Sequence, residues 1–164
     1  MAKIKVLMVC MGNICRSPTA QGVLESKLLQ RNWQQYVFVD SAGTHAYHVG
    51  SPPDKRSQQA ALRRGIDLSE QRARLVQELD FAEFDYVLAM DMHNLQYLQR
   101  MTPLVYKQKL KLLLSFAPQL PALAEVPDPY YGGENGFERV LDLIDEATEG
   151  LLVDIEQRLA LAGH

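Results

Sequence analysis

Cysteine is scarce in this sequence. Only Cys10 and Cys15 occur among 164 residues, which excludes a disulfide scaffold and fits a reducing cytoplasm. Long apolar runs are missing too. Nothing approaches the roughly 20 residues that span a bilayer, and the densest late stretch, residues 110–116, has the length of a buried strand. Charge of one sign is not in excess. The 17 Lys and Arg against 20 Asp and Glu leave a net −3, with the basic residues scattered, so neither nucleic acid nor an anionic membrane is an expected partner. Lys3 and Lys5 at the edge of an apolar run resemble a signal peptide only until Asn13, Arg16 and Ser17 interrupt it, so a short first strand is the better reading. The sequence has no internal repeat, low-complexity tract or linker-like shift of composition, and residues 1–164 read as one domain.

What is present suits a packed core, with 47% hydrophobic and 23% charged residues. Residues 4–9 are apolar apart from Lys5, as in a strand covered on both faces, and residues 36–39, 86–89 and 110–116 read as further strands. Residues 18–30, 53–64 and 93–100 read as helices, while Phe137, Val140, Leu141, Ile144, Leu151 and Ile155 mark one face of a long last helix. Strands alternating with helices predict an α/β fold: three αβα layers around a central four-stranded parallel sheet, Rossmann-like. Ligands of such sheets bind beyond the carboxyl ends of the strands, where the winding reverses. The segment that follows the first strand begins at Cys10.

Cys10-Met11-Gly12-Asn13-Ile14-Cys15-Arg16-Ser17-Pro18 joins that strand to the first helix, with Ser17 expected as N-cap and Pro18 at the first helical position. The free N–H groups and positive dipole end of the helix face the loop, where Gly12 and Asn13 are expected to take the unusual dihedrals that curl amides inward. Such a cradle fits a dianion. The same amides, the dipole, Arg16 and the Ser17 hydroxyl would stabilise a thiolate at Cys10. Arg16, six positions on, can return its planar fork to the bound anion. Nucleophile, oxyanion donors and charge clamp are the parts that phosphoryl transfer to sulfur requires. The bland alternative for Cys-x5-Arg is a buried structural cysteine beside a capped helix.

The string VLMVCMGNICRSPTA resembles the signature loop of the low-molecular-weight protein tyrosine phosphatases. Asp40-Ser41-Ala42-Gly43-Thr44 is similar to that family's stretch after its second strand, Tyr86-Val87-Leu88-Ala89-Met90-Asp91 to its third strand, and Val126-Pro127-Asp128-Pro129-Tyr130-Tyr131 to its general-acid loop. The resemblance implies a phosphocysteine on Cys10, phosphate binding by Arg16, and Asp128 as general acid and then base, with neither metal nor cofactor. It further implies that Met11, Gly12, Asn13, Ile14 and Cys15 line or brace the loop. The Ser17 and Ser41 hydroxyls then bond to the thiolate or to the loop backbone, and Tyr47, Tyr130 and Tyr131 wall the aromatic ring. Asp91 fits either a supporting role or a helix N-cap. Ile14 is similar to tyrosine-directed members, whereas relatives resembling arginine phosphatases carry Thr there. The implied partner is a phosphotyrosine-containing protein, met by a monomer or a weakly self-associating chain.

Three other readings stay open on the residues alone. A thioredoxin-linked arsenate reductase shares the loop but needs further cysteines downstream, and none follows Cys15. Cys10, Cys15, His45 and His48 could be imagined as a zinc site, though with short histidine spacing. A phosphopeptide-binding module would keep the cradle without needing a nucleophile. Cys15, on the same loop as Cys10, is expected to capture a Cys10 sulfenic acid as a disulfide, unless it is a bystander thiol. Arg63 and Arg64 read as a solvated helix end.

Overall fold

The computed structural model describes residues 4–130 and 132–161. Strand β1 (Ile4–Cys10) is buried on both faces: Ile4, Val6, Met8 and Cys10 enter one core cluster, while Leu7 and Val9 enter another. That division follows from the two-residue period of a strand and explains why its sequence is almost continuously apolar. It pairs in parallel with β2 (Val37–Gly43) on one side and β3 (Tyr86–Ala89) on the other, and β4 (Leu110–Leu112) extends the sheet beyond β3, giving the order β2-β1-β3-β4. Helices α1 (Arg16–Gln30), α2 (Lys55–Leu62) and α5 (Glu134–Leu161) cover one face. The other is covered by α3 (Glu78–Glu83) and α4 (Met92–Met101). This is the expected αβα sandwich, with the winding reversing about β1. The carboxyl ends of β1 and β3 therefore open a crevice at the middle of the sheet.

Several boundaries differ from the sequence reading, each for a local reason. β2 continues to Gly43, because β1 offers it a partner at every position down to Cys10. Residues 110–116 do not form one strand. The β3 ladder ends at the Ala89–Leu112 pair, and Leu113–Phe116 turns into a 3-10 helix that buries Leu113 and Leu114. The short helix α3 was not expected; Gln77 and Asp80 close a capping box at its start. Helix α1 begins two residues earlier than predicted, with Cys15 rather than Ser17 as N-cap. The Ser17 hydroxyl is spent elsewhere, as described below.

The predicted face of α5 is the buried one, from Phe137 to Ile155. Gly150 on α5 lies against the 3-10 turn: a Cβ there would stand 1.8 Å from the Phe116 carbonyl oxygen. Arg63 and Arg64 are not merely solvated. They pair with Glu138 at 2.6 and 2.9 Å, and Arg64 also reaches Asp142 at 2.8 Å, tying the end of α2 to α5.

Candidate active site

The loop from Cys10 to Arg16 is turned inside out relative to an ordinary turn. The carbonyls of Cys10, Met11 and Ile14 accept from the amides of Thr44, His45 and Asp54 at 2.9, 3.0 and 2.8 Å, all outside the loop. With its carbonyls drawn outward, the loop is left to present N–H groups to its interior, the arrangement of an anion-binding nest. Asn13 makes the reversal at φ +58°, in the left-handed region that asparagine tolerates. Gly12, also expected to take an unusual dihedral, does not have a positive φ; its lack of a side chain matters because a Cβ would stand 2.9 Å from the His48 ring. Gly43 serves similarly, since a Cβ there would meet the Met11 carbonyl at 2.7 Å.

At the bottom of the loop the Cys10 sulfur is contacted by the Asn13 amide at 3.3 Å and by the Ser17 hydroxyl at 3.0 Å. The direction of the second contact follows from its neighbours. Asn13 Nδ2 donates to Ser17 Oγ at 2.8 Å and to Ser41 Oγ at 3.0 Å, and Ser41 passes its own proton to Gln21 Oε1 at 2.7 Å. Ser17 Oγ already accepts from Asn13, and of the two acceptors within reach of its one proton the Cys10 sulfur at 3.0 Å is nearer than the Ala42 carbonyl at 3.5 Å, so the proton points at the sulfur. Two donors thus converge on the Cys10 sulfur.

Arg16 is almost wholly buried, with its side chain 3% exposed. One edge of its guanidinium is fixed from behind: Nη1 donates to Asp91 Oδ2 at 2.6 Å and to the Val126 carbonyl at 3.1 Å. Nη2 lies 3.8 Å from Asp128 Oδ2. Burial works against the Arg16 charge, but the Cys10 sulfur, Asp91 and Asp128 outweigh it and raise its pKa above the ordinary guanidinium value. Asp128 is 44% exposed in its side chain, and its Oδ1 accepts from the Tyr130 amide at 3.0 Å, fixing the turn between Pro127 and Pro129.

Cys10, Arg16 and Asp128 share a cavity of about 300 Å³, walled by Met11, Ile14, Tyr47, His48 and Tyr130. Its size suits an aryl phosphate, with apolar sides and polar groups gathered at the base. Tyr47 is 74% exposed and stacks on His45, their ring centres 5.4 Å apart. Tyr131, expected as another wall residue, lies outside the described residues.

Residues 5–161 match the sequence pattern of the low molecular weight phosphotyrosine protein phosphatase family. The chain belongs to that family. Among its relatives, a human low molecular weight phosphotyrosine protein phosphatase is 44% identical over 137 residues, covering 82% of this chain and 85% of the relative. The Bacillus subtilis low molecular weight protein-tyrosine-phosphatase YfkJ is 39% identical over 158 residues, covering 96% and 99%. A crystal structure of a protein tyrosine phosphatase from Entamoeba histolytica superposes with a TM-score of 0.90 at 40% identity, covering 94% of this chain and 97% of that one.

In this family member, the two cysteines occupy different electrostatic settings. Burial, reinforced by the charge of Asp54 and only partly offset by a hydrogen bond with Ser57, pushes the Cys15 thiol up to about 12. Cys15 is therefore a thiol at neutral pH. Among the described residues no group of three or more His, Cys, Asp or Glu converges as metal ligands would, so the imagined zinc grouping is not assembled. No described helix is long and apolar enough to cross a membrane.

Several groups at this phosphatase's site were left open by the sequence or missed by it. Asp91 does both jobs left open for it, capping α4 through Asn94 and holding Arg16. The Val126 carbonyl carries no sequence signal. His48 was visible only as an imagined metal ligand, yet it packs against Gly12 and tilts toward Tyr130, with ring centres 6.3 Å apart. Arg56 lies over the Tyr130 ring at 5.4 Å while its Nε and Nη2 hold Asp54 at 3.1 and 3.0 Å. Asp54 in turn gives its amide to Ile14, so one contact chain links the nucleophile loop to the Asp128 loop.

Proposed function

We propose that the chain hydrolyses phosphotyrosine in protein substrates, and small aryl phosphates, through a phosphocysteine on Cys10. The observation that carries this reading is the convergence of two donors on the Cys10 sulfur at the base of a cavity shared with Arg16 and Asp128. In the first step the thiolate forms an S–P bond as the aryl O–P bond breaks, and the Asp128 carboxylic acid gives its proton to the departing phenolate. The loop amides and the free edge of Arg16 hold the equatorial oxygens, where charge is greatest in the transition state. In the second step the Asp128 carboxylate takes a proton from water, the water oxygen attacks phosphorus, and the S–P bond breaks to return thiolate and phosphate. The inventory closes with substrate, water and side chains, without metal or cofactor. Ile14 on the cavity wall supports phosphotyrosine over phosphoarginine, and two unpaired cysteines support a reducing, cytoplasmic setting.

The test is release of phosphate from an aryl phosphate in chelator and reductant. Turnover should persist in wild type and be lost in Cys10→Ser. Asp128→Ala should fall by about 10²- to 10⁴-fold, most for poor leaving groups. Wild-type protein that binds phosphate or a phosphopeptide without turning over would instead identify a binding module.

A further inference from the structure

The hydrogen bonds that orient Cys10 continue beyond the loop into a segment with no catalytic signature. Asn13 turns its NH2 group toward Ser17 and Ser41 while its Oδ1 accepts from the backbone N–H of Arg74 at 3.0 Å. A planar amide has one donor end and one acceptor end, so a donor fixed at Oδ1 decides which end faces the serines. Were Asn13 to flip, Ser17 would meet an acceptor, and its proton would be drawn from the sulfur to the amide oxygen. The place of one backbone N–H thus governs the direction of a proton at Cys10.

That N–H is held by its own side chain. Arg74 Nη1 and Nη2 form a two-pronged bond with Asp80 at 3.0 and 3.1 Å, and Nε reaches Asp40 at 3.1 Å. Asp80 is buried and also accepts from the Gln77 amide at 2.7 Å at the start of α3. Asp40 sits in β2 beside Ser41, whose amide it accepts at 2.8 Å. The backbone of the segment is stitched to the end of the same strand, through Gly43 N to Arg74 O at 2.8 Å and Val76 N to Gly43 O at 2.9 Å. Planar, multiply bonded guanidinium contacts of this kind fix geometry more tightly than a lysine point charge would.

We propose that Arg74 is a positioning residue for the nucleophile: clamped between Asp40 and Asp80, it holds its amide against Asn13 and so keeps the Ser17 proton directed at the Cys10 sulfur. This rests on Cys10 being the nucleophile. The clamp joins β2 to α3, and none of Asp40, Arg74 and Asp80 lines the cavity shared by Cys10, Arg16 and Asp128.

The experiment follows carboxymethylation of Cys10 by iodoacetate across a pH series, reading the modified peptide by mass, together with kcat and KM for an aryl phosphate. Arg74→Met keeps the backbone N–H but loses its anchor. Its alkylation midpoint should move up by about half a pH unit or more, and kcat should fall roughly three-fold or more with a smaller change in KM. Arg74→Lys should recover part of both. Arg72→Met, at an exposed neighbour whose side chain bonds to the nearby carbonyls of Ser69 and Gln71, should leave the profile unchanged. If Arg74→Met does not fold, Asp40→Asn decides alone, with a smaller upward shift expected because the Asp80 bonds remain. A folded Arg74→Met or Asp40→Asn with the wild-type midpoint overturns the proposal. Wild-type Cys10 that alkylates only in the ordinary thiol range, without protection by phosphate, overturns the nucleophile reading on which it rests.

Discussion

Cys10 and Cys15 show how little of a residue's chemistry is set by its type. The first receives donors from Asn13 and Ser17, while burial and the Asp54 charge push the second up to about 12. Iodoacetamide at neutral pH is therefore expected to label Cys10 and to leave Cys15 unlabelled until the protein is unfolded, as peptide mapping would reveal. The same contrast bears on oxidation. After peroxide has made a sulfenic acid at Cys10, attack by Cys15 releases water and forms a disulfide, but it needs the Cys15 thiolate. Disulfide formation should be slow at neutral pH and accelerate as pH rises. A rate independent of pH, or full recovery of activity in Cys15→Ser after reductant, would exclude Cys15 as the trap. Much of this residue-level picture was legible early, because Cys-x5-Arg-Ser between a strand and a helix constrains its members through one short loop. Arg74 and the Val126 carbonyl were not, since they reach the loop across 61 and 110 positions of sequence respectively, and nothing local marks them.

Among the elements, α2 and α5 carry sharp tests. Asp54 caps α2 by accepting from the Arg56 amide at 2.8 Å, so Asp54→Ala is expected to lower stability by about 1 kcal/mol in a denaturant titration. Partial burial pushes the Asp54 carboxyl upward, but hydrogen bonds and charge from Arg56 outweigh it and hold the pKa below the ordinary 3.8. With a folded value below the unfolded one, its contribution is present above pH 3.8 and is lost as pH falls through the folded value. Asp54→Asn retains a capping oxygen and should show a flatter acid limb than wild type. Gly150→Ala should be far more damaging than an ordinary helix substitution, where alanine is favoured by about 1 kcal/mol. Its methyl would fall 1.8 Å from a backbone oxygen, and a loss of about 1 to 3 kcal/mol or more is expected from the resulting displacement of α5. The type and order of the long elements were readable from periodicity, α5 most of all. The six-residue α3 and the break of residues 110–116 after three strand positions were not, because they depend on where neighbouring pairing stops.

For the molecule as a whole, both helical layers lean on the same β1 and β3, and Tyr86 and Val87 face opposite clusters from adjacent positions. Neither layer can be removed without uncovering the strands that the other needs, so one cooperative unfolding transition is expected, with circular dichroism and tryptophan fluorescence of Trp33 coinciding. Two resolved transitions would show that the layers separate. The outward ties of the Cys10, Met11 and Ile14 carbonyls carry a consequence for drug resistance. An inhibitor that engages only the inward main-chain amides of this loop contacts groups that every residue except proline supplies, so few point mutations could evade it. It would, for the same reason, discriminate poorly among related enzymes. Selectivity has to be sought at the rim, in the side chains of Met11, Tyr47 and His48, where evasion by mutation is also easiest.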